Sequence, residues 1–164
     1  MKRTRTSKSW MSEHISDLFV KQAQKDGYRS RAAYKLIEIN EKYNIFKENM
    51  TIVDLGSAPG SWSQVAVKRI GSKGKVIALD LLEMHPIKKV EFIQGDFRDD
   101  KVLIELENKL NNSEIDLVIS DMAPNISGIK VVDQSAAIYL NELALEFSCN
   151  WLKLNGHLLV KSFI

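Results

Sequence analysis

Residues 51–60 read Thr51-Ile-Val-Asp-Leu-Gly-Ser-Ala-Pro-Gly60, a short apolar run that leads into a turn with two glycines. A run of this length with β-branched residues predicts a buried strand. The glycines allow a sharp turn into the helix that residues 61–70 predict. A strand, a glycine turn and a helix in this order are typical of α/β proteins that bind a ligand at the carboxyl end of a parallel sheet.

The alternation of strands and helices continues along the chain. Further strands are predicted at residues 75–80, 90–94, 115–120 and 157–163. Helical spacing predicts helices at 14–25, 30–43, 61–70, 99–110 and 134–154, with Ser30 as an N-cap and Asn155-Gly156 as a turn. Strands that are apolar on both faces predict a Rossmann-like α/β fold, with a mostly parallel sheet and helices on both faces. We place a basic arm and short helix at 1–27 and the main domain at 28–164.

Composition limits the class of protein. The chain has 164 residues, of which 45% are hydrophobic and 27% charged, as in an ordinary soluble domain. The single cysteine, Cys149, excludes an internal disulfide and falls in a predicted helix, where we interpret it as a core residue. No apolar run approaches the ~18 residues of a membrane span. We therefore expect a cytoplasmic protein without a membrane segment or a metal site.

Charge is unevenly distributed along the chain. Residues 1–35 hold nine Lys or Arg and three acids, a formal charge of +6, whereas the whole chain carries +2. A basic segment on a mildly acidic body is typical of proteins that contact phosphates. The candidate contacts are Lys2, Arg3, Arg5, Lys8, Arg29 and Arg31. By itself, the charge fits a solvated tail equally well.

Acidic residues follow successive predicted strands. Asp80, Asp96 with Phe97, and Asp121 should meet near the glycine turn, because parallel strands end at the same edge of a sheet. The turn matches neither a dinucleotide fingerprint nor a phosphate-binding loop. Acids without a phosphate clamp suit a cationic sulfonium and an amine, which favours S-adenosylmethionine. The candidate cofactor-binding residues are Gly56, Gly60, Asp80, Asp96, Phe97 and Asp121.

Lys161 is unusual because it ends an apolar strand, and lysine is rarely buried without a partner. It has two interpretations: a strand-end lysine that reaches solvent, or a general base kept neutral by partial burial and neighbouring cations. In the second interpretation Lys35 supplies a nearby cation, and Asp121 orients the lysine or the incoming methyl group. We therefore take Lys35, Asp121 and Lys161 as catalytic candidates.

Six segments together resemble the FtsJ/RrmJ family of ribosomal RNA ribose 2′-O-methyltransferases. They are Tyr28-Arg-Ser-Arg-Ala-Ala-Tyr-Lys-Leu36, Val53-Asp-Leu-Gly-Ser-Ala-Pro-Gly-Ser-Trp-Ser-Gln64, Ala78-Leu-Asp80, Gln94-Gly-Asp-Phe97, Val118-Ile-Ser-Asp-Met-Ala-Pro-Asn125 and Leu159-Val-Lys-Ser-Phe163. The resemblance implies a Lys-Asp-Lys-Glu catalytic set, whose first three members are Lys35, Asp121 and Lys161. It also implies cofactor contacts at Gly60, Trp62, Asp80, Asp96 and Asp121.

The implied substrate is a uridine ribose of large-subunit (23S-type) ribosomal RNA, in the peptidyl-transferase region of assembled subunits. The chain departs from the family pattern at Ser61, where a second glycine is usual, and the closing glutamate and last two strands would lie beyond Ile164. We therefore expect a monomeric, C-terminally truncated member. A catalytically impaired RNA- or ribosome-binding module is the alternative. A small-molecule methyltransferase is disfavoured by the basic segment.

Overall fold

One parallel sheet of five strands forms the centre of the protein, which a computed structural model describes for residues 8–162, with side chains from residue 13 onward. The strands are β1 (Thr51–Leu55), β2 (Lys75–Asp80), β3 (Val90–Gln94), β4 (Ile115–Ser120) and β5 (Leu152–Val160). Their order is β3-β2-β1-β4-β5, and all neighbours are parallel. The predicted bounds of β2 to β4 are confirmed, and β1 occupies the apolar run that begins at Thr51.

Helices cover both faces of the sheet. They are α1 (Lys8–Lys25), α2 (Ala32–Tyr43), α3 (Ser61–Arg69), α4 (Asp100–Leu110) and α5 (Lys130–Trp151). Successive strand residues point to opposite faces, so Val53 and Leu55 of β1 share a core with α4 and α5, whereas Ile52 shares one with α2 and α3. The Rossmann-like α/β class with helices on both faces is thereby confirmed.

The start of α2 differs from the prediction in its capping residue. Arg31, not Ser30, occupies the N-cap position and makes no capping bond through its side chain. The Ser30 hydroxyl accepts a bond from the Ala32 N–H at 3.3 Å and also hydrogen-bonds the Ser61 hydroxyl at 2.8 Å. Ser30 therefore joins the beginnings of α2 and α3. The first helix, α1, begins at Lys8 and not at the predicted residue 14.

The boundary between α5 and β5 also differs from the prediction. The helix ends at Trp151 instead of residue 154, and the strand follows directly. Ile115 of β4 pairs with Leu152 of β5, and Leu117 pairs with His157. Between these two pairs β4 advances by two residues and β5 by five. Asn155 has φ 68° within this irregular stretch. The predicted turn is therefore an irregularity within the strand, where β5 holds three more residues than β4 between the paired positions. Asparagine tolerates the left-handed conformation that this requires.

The segment before α5 is held by an acidic side chain of the first turn of the helix. The Asp133 carboxylate accepts bonds from the backbone N–H groups of Ser127 and Gly128, and from the Ser127 hydroxyl. The helix accordingly starts at Lys130, four residues before the predicted position.

Further along α5, Cys149 is exposed, so its interpretation as a core residue was wrong. None of the helices in the described part of the chain is long and apolar enough to cross a membrane.

Candidate active site

A cavity of about 490 Å³ opens at the carboxyl ends of β1 to β4. The sheet order reverses between β1 and β4, and open α/β sheets bind ligands at such switch points. Five predicted residues line this cavity: Gly56, Asp80, Asp96, Phe97 and Asp121. Its volume is within the range of small-ligand sites. The tertiary structure thus brings the acids of three strands to one cavity.

The two turn glycines have positive φ angles, 73° at Gly56 and 110° at Gly60, as the predicted sharp turn requires. The space beside them is filled by the protein itself. A Cβ on Gly56 would lie 2.7 Å from the Met122 nitrogen, and one on Gly60 would lie 2.7 Å from the Ile87 Cδ1. Gly60 also lies outside the residues that line the cavity. Both glycines therefore allow close approach of neighbouring chain segments.

Asp54 is completely buried beneath this turn. Its Oδ2 accepts a bond from the Ser63 hydroxyl at 2.6 Å, while its Oδ1 and the buried hydroxyls of Ser57 and Ser120 have no partner among the described residues. Burial raises the pKa of Asp54 to about 7, against the opposing effect of the Ser63 hydrogen bond. A neutral carboxyl group at this position reduces the cost of burying it without a cation.

Asp80 fixes the glycine turn against the end of β2. Its Oδ2 accepts a bond from the Ala58 N–H and its Oδ1 one from the Leu82 N–H, both at 2.8 Å. A carboxylate has about four acceptor positions, so both oxygens can still receive hydroxyl groups of a ligand. Asp80 therefore has a structural role besides its predicted role in cofactor binding.

Asp96 and Phe97 lie in the loop after β3 and form part of the cavity wall. The Arg98 guanidinium contacts both oxygens of Asp96, with Nη2 at 2.6 Å from Oδ2 and Nε at 2.9 Å from Oδ1. These hydrogen bonds hold the pKa of the Asp96 carboxyl below its ordinary value. Phe97 is buried and packs edge-on against Phe147, with ring centroids 5.7 Å apart. The loop after β3 is thus anchored by an ion pair and by the core.

Asp121 and Lys161 are brought together by β4 and β5. The Lys161 Nζ lies 2.9 Å from Oδ1 of Asp121, and the Lys161 N–H bonds the carbonyl of Ser120 at 2.9 Å. The side chain of Lys161 is 46% exposed and its neighbour is an anion. Lys161 is therefore partly buried next to Asp121, as predicted, whereas its described charged neighbour is an anion and not a cation. Its role as a general base stays a prediction.

Two predicted site residues have their described contacts elsewhere. Lys35 is 65% exposed and pairs with Glu38 of its own helix at 3.1 Å. Trp62 is buried in the core between α2 and α3, where its Nε1 donates to the Ala32 carbonyl at 2.9 Å. Its indole does not line the cavity, which leaves the backbone N–H at the start of α3 as its possible ligand contact.

Ser61 and the predicted phosphate-binding arginines also take structural positions. Ser61 is buried and hydrogen-bonds Ser30, so its side chain does not narrow the cavity. Arg29 donates to the carbonyls of Pro59, His85 and Pro86, which joins the glycine turn to the loop after β2. Arg31 donates to the Ser16 hydroxyl of α1 at 2.8 Å. Lys2, Arg3 and Arg5, and the Lys8 side chain, lie outside the described residues.

Sequence reasoning missed several cavity residues. Leu81, Leu82, Arg98 and Tyr139 line the cavity. Arg98 lies two residues after Asp96, a predicted ligand residue, and this proximity was the signal in the sequence. Tyr139 lies in the middle of α5, where no local motif distinguishes it from other helix residues. Arg98 is the one basic residue among the described residues that line the cavity, and its charge is paired with Asp96. The cavity therefore suits a ligand with donors and positive charge better than one with phosphates.

The fold and cavity define the class of protein. A solved structure from Plasmodium falciparum, assigned as a ribosomal RNA methyltransferase, matches with a TM-score of 0.78 and 38% identity over 84% of this chain and 79% of that chain. Fibrillarin from Aeropyrum pernix, solved with natively bound S-adenosyl-L-methionine, matches with a TM-score of 0.51 and 20% identity over 81% of this chain and 54% of that chain. The latter likeness shows the fold alone. The chain has a Rossmann-like methyltransferase fold.

The family model of FtsJ-like methyltransferases matches residues 28–164, and the chain belongs to this family. The ribosomal RNA large subunit methyltransferase E of Methylobacillus flagellatus is 65% identical over 164 residues, which are 100% of this chain and 79% of the relative. The protein of the same name from Nitrosospira multiformis is 59% identical over 163 residues, which are 99% of this chain and 79% of that relative.

Proposed function

We propose that the protein is an S-adenosylmethionine-dependent methyltransferase of the cytoplasm that methylates the 2′-hydroxyl of a uridine ribose in large-subunit ribosomal RNA. The observation that carries this proposal is the Asp121–Lys161 ion pair, because Asp121 also lines the acid-rich cavity. The cavity offers a cofactor site, and the lysine next to it offers a group that can exchange a proton with a hydroxyl. Two relatives named as ribosomal RNA methyltransferases support the choice of RNA as substrate.

The proposed cofactor contacts follow from the chemistry of the cavity. Bound S-adenosylmethionine supplies an electrophilic methyl group on a cationic sulfonium. Asp80 would accept hydrogen bonds from the ribose diol, and Asp96 would accept one from the adenine amine. Gly56 and Asp121 line the side of the cavity towards β4, where a carboxylate favours a nearby cation. Gly60 and Trp62 would contribute through the backbone at the start of α3.

The proposed chemistry is a direct transfer. The ribose oxygen would attack the methyl group that bound S-adenosylmethionine supplies, and the sulfur would keep the electron pair of its bond to that carbon. The hydroxyl proton would pass to the Nζ of Lys161, the proposed general base. Asp121 positions the lysine and stabilises the ammonium that results. Lys35 lies apart from this pair in its described contacts, so we assign it to binding of the RNA backbone.

The RNA would be held by the basic N-terminal segment. Lys2, Arg3, Arg5, Lys8 and Arg31 remain the proposed phosphate contacts. Arg29 is a weaker candidate, since its guanidinium already donates to three carbonyls. Each neutralised phosphate releases counterions, and binding should therefore weaken steeply as salt increases.

The test is transfer of a labelled methyl group from S-adenosylmethionine to large subunits isolated from cells that lack this activity. Alkaline cleavage of RNA requires a free 2′-hydroxyl, so the modified position is mapped as the bond that resists cleavage. We expect Lys161→Met to lower the transfer rate by about 100-fold or more, the range of one general base. Binding of S-adenosylhomocysteine should stay nearly unchanged.

Lys153→Met is the matched control. Lys153 lies on the same strand and pairs with Asp116 of β4 at 3.0 Å, outside the residues that line the cavity. It should transfer at the wild-type rate. Wild-type transfer by Lys161→Met would contradict the proposed base. Binding of both cofactor and RNA by the wild-type chain without transfer would favour a binding module instead.

A further inference from the structure

Arg98 holds the carboxylate of Asp96 on two sides. Its Nε lies 2.9 Å from Oδ1 and 3.1 Å from Oδ2, and its Nη2 lies 2.6 Å from Oδ2. The backbone N–H of Arg98 adds a fourth bond, to Oδ1 at 2.9 Å. Because donors from both the main chain and the side chain contact this group, rotation of the carboxylate would break several bonds at once.

The pair is part of the cavity wall. Both Asp96 and Arg98 line the cavity, and their side chains are 32% and 54% exposed. Phe97 between them is buried against Phe147, which fixes the backbone of the loop. The orientation of the Asp96 carboxylate towards a ligand is therefore determined by Arg98 and by the anchored loop together.

An ionised carboxylate only accepts hydrogen bonds, whereas a protonated carboxyl group can also donate one. The guanidinium of Arg98 stabilises the ionised form. The four contacts come from three N–H groups, because the Nε–H is shared between the two oxygens, so about one of the four acceptor positions of the carboxylate is left for a ligand. Such an acceptor favours a ligand edge that carries an amine. It disfavours an edge that presents a carbonyl oxygen, because two acceptors face each other and neither is satisfied.

We propose that Arg98 is a positioning residue that sets the base specificity of the cofactor site, by fixing Asp96 as an acceptor for the exocyclic amine of adenine. This inference rests on the proposed function, which places an adenosine cofactor in this cavity. Arg98 acts through Asp96 and need not touch the ligand itself. Its loss should reduce the preference for adenine, beyond any general loss of affinity.

The experiment is calorimetric titration of the whole chain with S-adenosylhomocysteine and with its deaminated counterpart, S-inosylhomocysteine, which carries a carbonyl in place of the amine. The variants are Arg98→Met, which removes the guanidinium, and Arg98→Lys, which keeps a positive charge without the planar fork. Lys101→Met is the matched control, since Lys101 is an exposed cation three residues away whose described bond is through its backbone. Thermal unfolding followed by circular dichroism establishes that each variant is folded.

We expect the wild-type protein to bind the adenosyl ligand at least about tenfold more tightly than the inosyl ligand, the effect of one mismatched polar contact. Arg98→Met should reduce this ratio to about threefold or less, mostly by weakening the adenosyl complex. Arg98→Lys should give an intermediate ratio, and Lys101→Met the wild-type ratio.

An equal loss of affinity for both ligands in the folded Arg98 variants would overturn the inference, because it would mean that Arg98 only supports the loop. Wild-type affinities for both ligands in these variants would also overturn the inference, while leaving the proposed function intact. If the wild-type chain bound neither ligand, the proposed function would fail and the inference with it.

Discussion

Asp121 and Lys161 come from neighbouring parallel strands and form an ion pair of 2.9 Å at the edge of the cavity. Asp121 follows β4 directly and its N–H bonds the carbonyl of Leu55 in β1, while the N–H of Lys161 bonds Ser120. The backbone of three strands thus sets the position of both charged groups. A carboxylate and an amine held in this way can act together on a hydroxyl near the cavity.

The first prediction concerns Asp121. Asp121→Asn keeps the shape of the side chain but removes the negative charge that pairs with Lys161. Methyl transfer should fall by about 10-fold to 1000-fold, because the charged lysine loses the group that stabilises it. Asp116→Asn, which affects the corresponding pair with Lys153 at the other end of the same two strands, should transfer at a rate near that of wild type. Equal rates for the two variants would contradict the assigned role of Asp121.

The second prediction concerns Arg29, whose guanidinium donates to three carbonyls in two loops. Arg29→Met should lower the free energy of unfolding by about 1–3 kcal/mol, the usual effect of losing bonds from a charged donor. It should also weaken binding of S-adenosylhomocysteine, since the glycine turn loses its support. Urea denaturation and calorimetric titration measure these effects.

Arg31→Met is the control for Arg29, because its described bond goes to Ser16 of α1, away from the cavity. Its unfolding free energy should change by less than about 0.5 kcal/mol, as for most surface substitutions. Similar losses of ligand affinity in both variants would mean that Arg29 does not act through the turn.

The third prediction concerns Gly60, where an added Cβ would lie 2.7 Å from Ile87 Cδ1 and 2.9 Å from Met84 Sδ. Gly71 serves as a control, since it has φ 72° and nothing within 4 Å of an added Cβ. Gly71→Ala should cost roughly 1–2 kcal/mol of unfolding free energy, from the backbone conformation alone. Gly60→Ala should cost more, because the side-chain ends of Ile87 and Met84 must also shift. Equal costs would show that these side chains move without strain.

The fourth prediction concerns the pH dependence of stability. Burial raises the pKa of Asp54 from 3.8 to about 7. Below pH 3.8 both the folded and the unfolded chain carry the protonated form. Between the two values the unfolded chain ionises first, so the neutral carboxyl's contribution to stability is lost as pH rises, and above about pH 7 the loss is complete.

Asp54→Asn removes this titration while keeping an acceptor for Ser63. Its unfolding free energy, relative to the wild-type protein, should therefore increase between pH 5 and pH 8, by on the order of a few kcal/mol. Urea denaturation at the two pH values measures the difference. The same relative stability at both would contradict the burial of a neutral Asp54.

The sequence determined the sheet and the meeting of the acids. Apolar runs on both faces specify buried parallel strands, and parallel strands bring their carboxyl ends to one edge. The sequence alone therefore places Asp80, Asp96 and Asp121 in one site. The sequence offered two roles for Asp121, to orient Lys161 or to orient the methyl group, and the order of the strands brings Asp121 next to Lys161.

Only the tertiary structure decided what the other side chains contact. Arg29 bonds carbonyls 30 to 57 residues away, and Trp62 bonds one 30 residues away, and no local pattern encodes such partners. The turn glycines were expected from the need for positive φ, but the chain segments that fill the space beside them depend on the packing of distant loops. The same holds for the exposure of Lys161. Spacing along the chain fixes which face or end a residue occupies, whereas its neighbours across the fold fix its environment.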